Sequence, residues 1–139
     1  MSLEYLIIHS TNTIKDKNYH LEGQDKSLYS DIIKLNGDIV LSSINKQLHW
    51  NTKHNGVNID INSRHIAYTG GVNKENTHAQ DTRTKEQKET LEIYVKYMIK
   101  RHPKLIIAGY NQFKDRSSPG FSVGKWLESI GVNKNNMLT

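Results

Sequence analysis

The chain has 139 residues, no cysteine, and a formal net charge of +5 with its seven histidines neutral. That length predicts one domain over 1–139 with a core large enough to fold unaided, and the missing cysteines exclude disulfides and cysteine-ligated metal. Apolar residues at 35% and charged residues at 24% put it above the disordered regime.

No apolar run approaches the ~18 residues of a membrane span. The opening MSLEYLIIHS has neither a basic leader nor a small-residue cleavage site. The expectation is a soluble, cytoplasmic protein with no membrane partner. Its positive charge favours anionic partners. No block of five or more basic residues occurs, so a nucleic-acid tail is not indicated.

Residues 4–8 are apolar and β-branched and predict a short buried strand. Residues 11–27 are polar without a clear period. Ile32 and Ile33 precede Asn36-Gly37, and Ile39-Val40-Leu41 follow, so 29–41 predicts a hairpin. Residues 49–63, rich in Asn, His and Lys, predict a long loop. Residues 64–69 predict a strand stopped by Gly70-Gly71, and 72–83 a second polar loop.

The clearest element is a helix over 85–101. Thr84 is a good N-cap, Gln87 completes a capping box, and Leu91, Tyr94, Val95, Met98 and Ile99 share one face. Pro103 prevents continuation. Leu105–Ala108 predict a buried strand ending at Gly109, with a loop to Pro119. Ser122 caps a last helix with Trp126, Leu127 and Ile130 inward, closed by Gly131. The Asn-Lys-Asn-Asn tail predicts a frayed end. Strand, hairpin, strand, helix, strand, helix describes an α/β fold, a single mixed sheet packed by helices.

Polar groups gather at strand ends, where ligand crevices form in α/β sheets: His9, then Tyr110-Asn111-Gln112, then Arg116-Ser117-Ser118-Pro119. Residue spacing alone supports a small-molecule crevice and nothing finer. These segments, together with Gly70-Gly71-Val72, Asp81-Thr82-Arg83-Thr84 and Gln87-Lys88, resemble the phage-type N-acetylmuramoyl-L-alanine amidases of the peptidoglycan-recognition fold. The resemblance runs from about residue 5 to 127.

It implies that His9 holds the place of the first zinc histidine. Tyr110 stands where a Gly-His pair supplies the second ligand, and Ser118 where a cysteine supplies the third, with the eight-residue spacing kept. Tyr29 matches the family's catalytic tyrosine, Arg116 its transition-state lysine, His49 a substrate-contacting loop histidine, and Asn62-Ser63 the pair before the third strand. Two departures reshape the groove: only 19 residues separate His9 from Tyr29, too few for the usual helix there, and the 49–62 loop is long.

A catalytic zinc needs three protein ligands and an open position. Serine is too weak an acid for the thiolate's part, and tyrosine ionises near pH ~10. The expectation is therefore no metal, no cofactor and no amidase activity. His49, His54 and His65 lack ligand spacing for a rebuilt site. Trp50, in a polar loop, suits either stacking on a ligand or capping the core.

Taken with the resemblance, these residues imply a phage-encoded binding protein that holds an anionic small ligand on His9, Tyr29, Tyr110, Arg116 and Ser118, with His49 and Trp50 at the rim. A nucleotide-type immune signal, sequestered in the host cytoplasm, heads the expectations, since aromatic faces and an arginine fork suit base and phosphate. Muropeptide binding without hydrolysis is the second reading, and a protein-binding regulator, for example of a polymerase, the third. A homo-oligomer is compatible with all three. A hydrolase of another mechanism ranks last, because no Ser-His-Asp or paired-carboxylate spacing is visible.

Overall fold

The computed structural model describes residues 3–14, 29–41, 50–114 and 116–138. In chain order its elements are β1 (Tyr5–Ser10), β2 (Thr13–Ile14), β3 (Asp31–Ile33), β4 (Ile39–Leu41), β5 (Lys53–His54), β6 (Val57–Asn58), β7 (Ser63–Tyr68), β8 (Gly71–Val72), α1 (Lys85–Arg101), β9 (Ile106–Gly109) and α2 (Val123–Ser129). The main sheet runs β4-β3-β7-β1-β9. β1 pairs in parallel with both β7 and β9, β3 with β7, and only β4 is antiparallel to its neighbour. This is the mixed α/β architecture the element order predicts.

The unbroken apolar run of β1 suits a strand covered on both faces. Leu6 and Ile8 join Ile66, Tyr68, Ile107, Leu91, Val95, Met98, Val123 and Leu127 in the main core under the helices. Ile7 and His9, at alternate positions, turn to the opposite face and are also buried. There Tyr29, Ile32, Ala67 and Trp50 form a smaller cluster. One face of the sheet is thus structural, and the other carries the residues singled out from the sequence.

The capping box of α1 is realised in both halves: Gln87 N–H donates to Thr84 Oγ1 at 3.1 Å, and Thr84 N–H to Gln87 Oε1 at 2.9 Å. Leu91, Val95 and Met98 are buried on its inner face, each stabilising by about 1.5–3 kcal/mol on area grounds. Gln87 does more than cap. It is fully buried, and its amide donates to the carbonyls of Ile33 and Thr69, tying α1 to two strands. No helix among the described residues is long and apolar enough to cross a membrane.

The hairpin predicted over 29–41 forms, with β3 and β4 antiparallel; in its turn Lys34 N–H donates to Asp38 O, Asn36 Oδ1 takes the Asp38 N–H, and only Gly37 has positive φ. Three expectations are corrected. First, 49–63 is not all loop: a two-residue turn at Asn55-Gly56, both at positive φ, joins β5 to β6. Second, the 72–83 stretch starts in strand, with β8 pairing in parallel with β2 and Val72 bridging Ala79. Third, the tail is ordered: Asn136 Nδ2 donates to Pro103 O and Leu105 O, and Met137 bridges Ile107. That bridge covers the open edge of β9, which otherwise exposes unpaired backbone groups. Most of the polar stretch 11–27 lies outside the described residues.

Candidate functional site

Parallel pairing of β1 with β7 sets the register Ile7↔His65 and His9↔Ala67, so the two histidines lie on one face and one step apart. His9 Nε2 and His65 Nδ1 are 2.7 Å apart, and His65 Nε2 is 3.3 Å from Asp60 Oδ1. A carboxylate only accepts, so His65 carries its proton on Nε2 and accepts at Nδ1. His9 therefore donates from Nε2. Asp60 is held in turn by the Thr52 N–H on Oδ2 at 3.0 Å, and its own N–H donates to Asn58 Oδ1. The short turn at Asp60–Asn62 that places this carboxylate directly precedes β7.

Both histidines are at most 1% exposed. Burial, and then the neighbouring His65, pushes the pKa of His9 well below the ordinary imidazole value. Burial also lowers that of His65, with the Asp60 hydrogen bond and charge opposing it. Burial raises that of Asp60, but donation by His65 and Thr52 outweighs it and leaves the carboxyl below its usual range. The chain Thr52, Asp60, His65, His9 is therefore a neutral imidazole pair anchored on a carboxylate.

Aromatic rings close around His9. Trp50 lies 4.4 Å from it between ring centroids, Tyr110 stacks at 4.7 Å, and Tyr29 meets it edge-on at 5.4 Å. Trp50 also lies within 5.9 Å of Tyr29, Tyr110 and His65. Tyr29 is 5% exposed and its hydroxyl donates to Ser10 O at 3.3 Å. Trp50 and Tyr110 are half-buried, so this wall is the part that solvent reaches. Burial raises the Tyr110 pKa, and the Arg116 charge acts against it.

Of the residues singled out from the sequence, His9, Tyr29, Trp50 and Tyr110 come together. Trp50, expected at the rim, is in the middle; Arg116, expected on the floor, is exposed. Ser118 is buried, and its hydroxyl accepts the Ser10 N–H at 2.8 Å, fastening the 116–120 loop to the end of β1. Tyr68 secures the same loop by donating to Pro119 O. His49 lies outside the described residues.

His65 and Asp60 escaped the sequence reading as site residues. The signal for His65 was present: it shares strand parity with Ala67 in a strand flanked by apolar residues. Its meaning depends on a partner 56 positions away.

The three positions that the resemblance sets against the amidase zinc ligands, His9, Tyr110 and Ser118, supply one imidazole, one phenol and one alcohol. The imidazole has Nε2 committed to His65, and the alcohol is committed to backbone. This set does not fit a zinc centre, which takes thiolate, imidazole and carboxylate donors. Among the described residues no group of three or more His, Cys, Asp or Glu is placed to hold a metal ion.

No family model and no curated protein matches this chain. Solved structures do. The N-acetylmuramoyl-L-alanine amidase LysCS, an endolysin from Clostridium intestinale, superposes with a TM-score of 0.64 at 14% identity, over 95% of this chain and 86% of its own. The Drosophila peptidoglycan recognition protein SA gives 0.61 at 11% identity, over 99% and 82%. The ectodomain complex of peptidoglycan recognition proteins LCa and LCx, solved with tracheal cytotoxin bound, gives 0.56 at 14%, over 91% and 81%. The architecture built above is thus the fold shared by N-acetylmuramoyl-L-alanine amidases and peptidoglycan recognition proteins.

Proposed function

We propose that the chain is a binding protein of this fold that holds a peptidoglycan fragment, a muropeptide, over the His9 wall and does not cleave it. The observation that carries the reading is the internal commitment of the key side chains. His9 donates to His65, Ser118 accepts from Ser10, and Tyr110 stacks on His9. The part of this site that solvent reaches is the half-buried aromatic surface of Trp50 and Tyr110, with the Arg116 cation near Tyr110. Such a surface stacks on sugar and peptide faces, and a guanidinium grips a carboxylate. A neighbour of the same fold, solved with tracheal cytotoxin, supports this ligand class.

The same wall favours a second reading, sequestration of a nucleotide: a base stacks on Trp50 or Tyr110 and a phosphate meets Arg116. A phage protein acting in the host cytoplasm would meet the nucleotide rather than the cell wall.

Titrating Trp fluorescence with a purified muropeptide, and in parallel with mixed cyclic and linear nucleotides, separates the two. Muropeptide binding that Trp50→Ala weakens by at least ~10-fold, with no free alanine amino group appearing over hours in added zinc, is the expected result. Release of that amino group overturns the reading, and nucleotide binding alone replaces it with the second.

A further inference from the structure

The α1 face turned away from the sheet carries a stripe that is mostly in solvent, with Thr90 within it half-buried and donating to Gly37 O. Glu86, Thr90, Ile93, Tyr97 and Lys100 follow one another at alternating spacings of four and three, the seam spacing of paired helices. Ile93 is 70% exposed and Tyr97 54%. Beside them the edge strand β4 adds Ile39 at 39% and Leu41 at 64%. A groove of about 280 Å³ runs between the two elements, lined by Ile39, Thr90, Ile93, Tyr94 and Tyr97.

We propose that a second copy of this chain docks here, through an antiparallel, two-fold contact between the two α1 helices centred on Ile93. Ile93 is the midpoint of the 17-residue helix. A two-fold axis through it sets residues equally far from the centre opposite each other. Ile93 meets Ile93 of the second copy and Glu86 faces Lys100, each seven residues from the centre, while Thr90, three from the centre, comes within one residue of the level of Tyr97, four from it. The stripe is therefore complementary to itself, which an isologous interface requires and a foreign partner does not.

Charge agrees with this pairing. Glu92 and Glu89 have partners at i+4 and i−4 in Lys96 and Lys85, whereas Glu86 and Lys100 make no ion pair among the described residues. The two-fold supplies both with one, twice over.

Area agrees as well. The exposed parts of Ile39, Leu41, Ile93 and Tyr97 come to roughly 400 Å² per copy, taking ~150–250 Å² for a large side chain. A patch of that size is in the range of the largest patch on a monomer, which is often functional. Two such patches give roughly 800 Å², and a polar rim of about 400 Å² brings the contact to the ~1,200 Å² lower bound of specific interfaces. The contact lies on the helix side of the sheet, so both His9 walls face outward and the dimer is bivalent.

Sedimentation equilibrium of the full chain, from ~1 to ~500 μM, tests this. The wild type is expected to dimerise with a micromolar Kd. Ile93→Glu is expected to weaken association at least ~100-fold, with an unchanged melting curve at concentrations below the wild-type Kd, because its side chain is mostly in solvent. Glu86→Lys is expected to weaken it ~10-fold, and adding Lys100→Glu to restore it to within ~3-fold, since the swap only exchanges the signs of the pair. A wild type that stays monomeric throughout overturns the proposal and leaves the face to another protein. A dimer that Ile93→Glu does not weaken overturns it as well.

Discussion

Lowering the pH from about 7.5 to about 5 bears directly on the buried imidazole pair. His9 and His65 are both neutral in the folded chain, with pKa values held below the ordinary one by burial. The unfolded chain protonates each near pH ~6.5. Below that pH the unfolded state binds protons that the folded state does not, so stability falls as pH falls and is fully present above ~6.5. Protonating His65 would also set its Nδ1–H against the His9 Nε2–H across the 2.7 Å contact, whereas a proton added to His9 goes to Nδ1 and leaves a buried charge. A histidine that stayed neutral down to about pH 5 would lose about 2 kcal/mol relative to its unfolded form. His9 contributes more of it than His65, because Asp60 opposes the His65 shift. About 2 kcal/mol per histidine is therefore the ceiling on the loss over this range, and each kcal/mol lowers Tm by roughly 4 °C for a chain of this size. Asp60 acts in a separate window. Its lowered carboxyl pKa gives stability present above ~4 and lost as pH falls further. Urea melts of the wild type, His9→Gln and His65→Gln at half-unit pH steps measure the slope, and each variant should reduce it, His9→Gln by more than His65→Gln. A wild-type stability that is flat between about pH 6.5 and 5, or a slope that neither variant reduces, would refute the protonation states assigned to the relay.

Thr84→Ala should cost about 1–2 kcal/mol, the loss of a cap and of the half-buried bond it donates to Leu35 O, whereas Gln87→Ala should cost about 2–3 kcal/mol because it strands the buried carbonyls of Ile33 and Thr69 and the second half of the capping box. Chemical denaturation ranks them, and a Thr84 variant that is the worse of the two would deny Gln87 its role as a tie between helix and sheet. Gly71→Ala should cost at least ~2 kcal/mol, since φ is +100 and a Cβ there would come 2.2 Å from Ser10 Oγ; a melt within ~0.5 kcal/mol of wild type would mean that the end of β1 yields freely.

The parts of this structure legible in the sequence are those set by nearby residues. Thr84 and Gln87 lie three positions apart and interact with each other's backbone, so the start of α1 is written in one short stretch. β1 announces itself because both of its faces are apolar up to His9. The Asn55-Gly56 turn carries the same local signal as Asn36-Gly37. It went unread because its strands are two residues each and hold Lys53, His54, Val57 and Asn58, with no apolar alternation to frame it. The tail looked frayed because its anchor is distant: the carbonyls that take the Asn136 amide belong to residues 33 and 31 positions earlier. The pairing of His9 with His65 was hidden for the same reason. Only the β1–β7 register brings them together, and no window of sequence contains that register.

The site's chemistry follows from what burial demands. A buried imidazole that holds no metal still has polar nitrogens to satisfy, and leaving one bare costs about 1–3 kcal/mol. At His9 that demand is met by His65, whose own second nitrogen is met by Asp60, whose second oxygen is met by the Thr52 amide. At Ser118 the hydroxyl serves the Ser10 amide. Among the described residues neither histidine nor Ser118 has a buried side-chain atom without a partner, and at the far end of the series Thr52 serves Asp60 through its amide while its Oγ1 has none. The series gives a hydrogen-bonded floor under the wall of Trp50 and Tyr110, rigid below, apolar and accessible above. The relay and the aromatic wall, on which the proposed binding rests, share this face of the sheet, while the self-complementary stripe of α1 lies on the other.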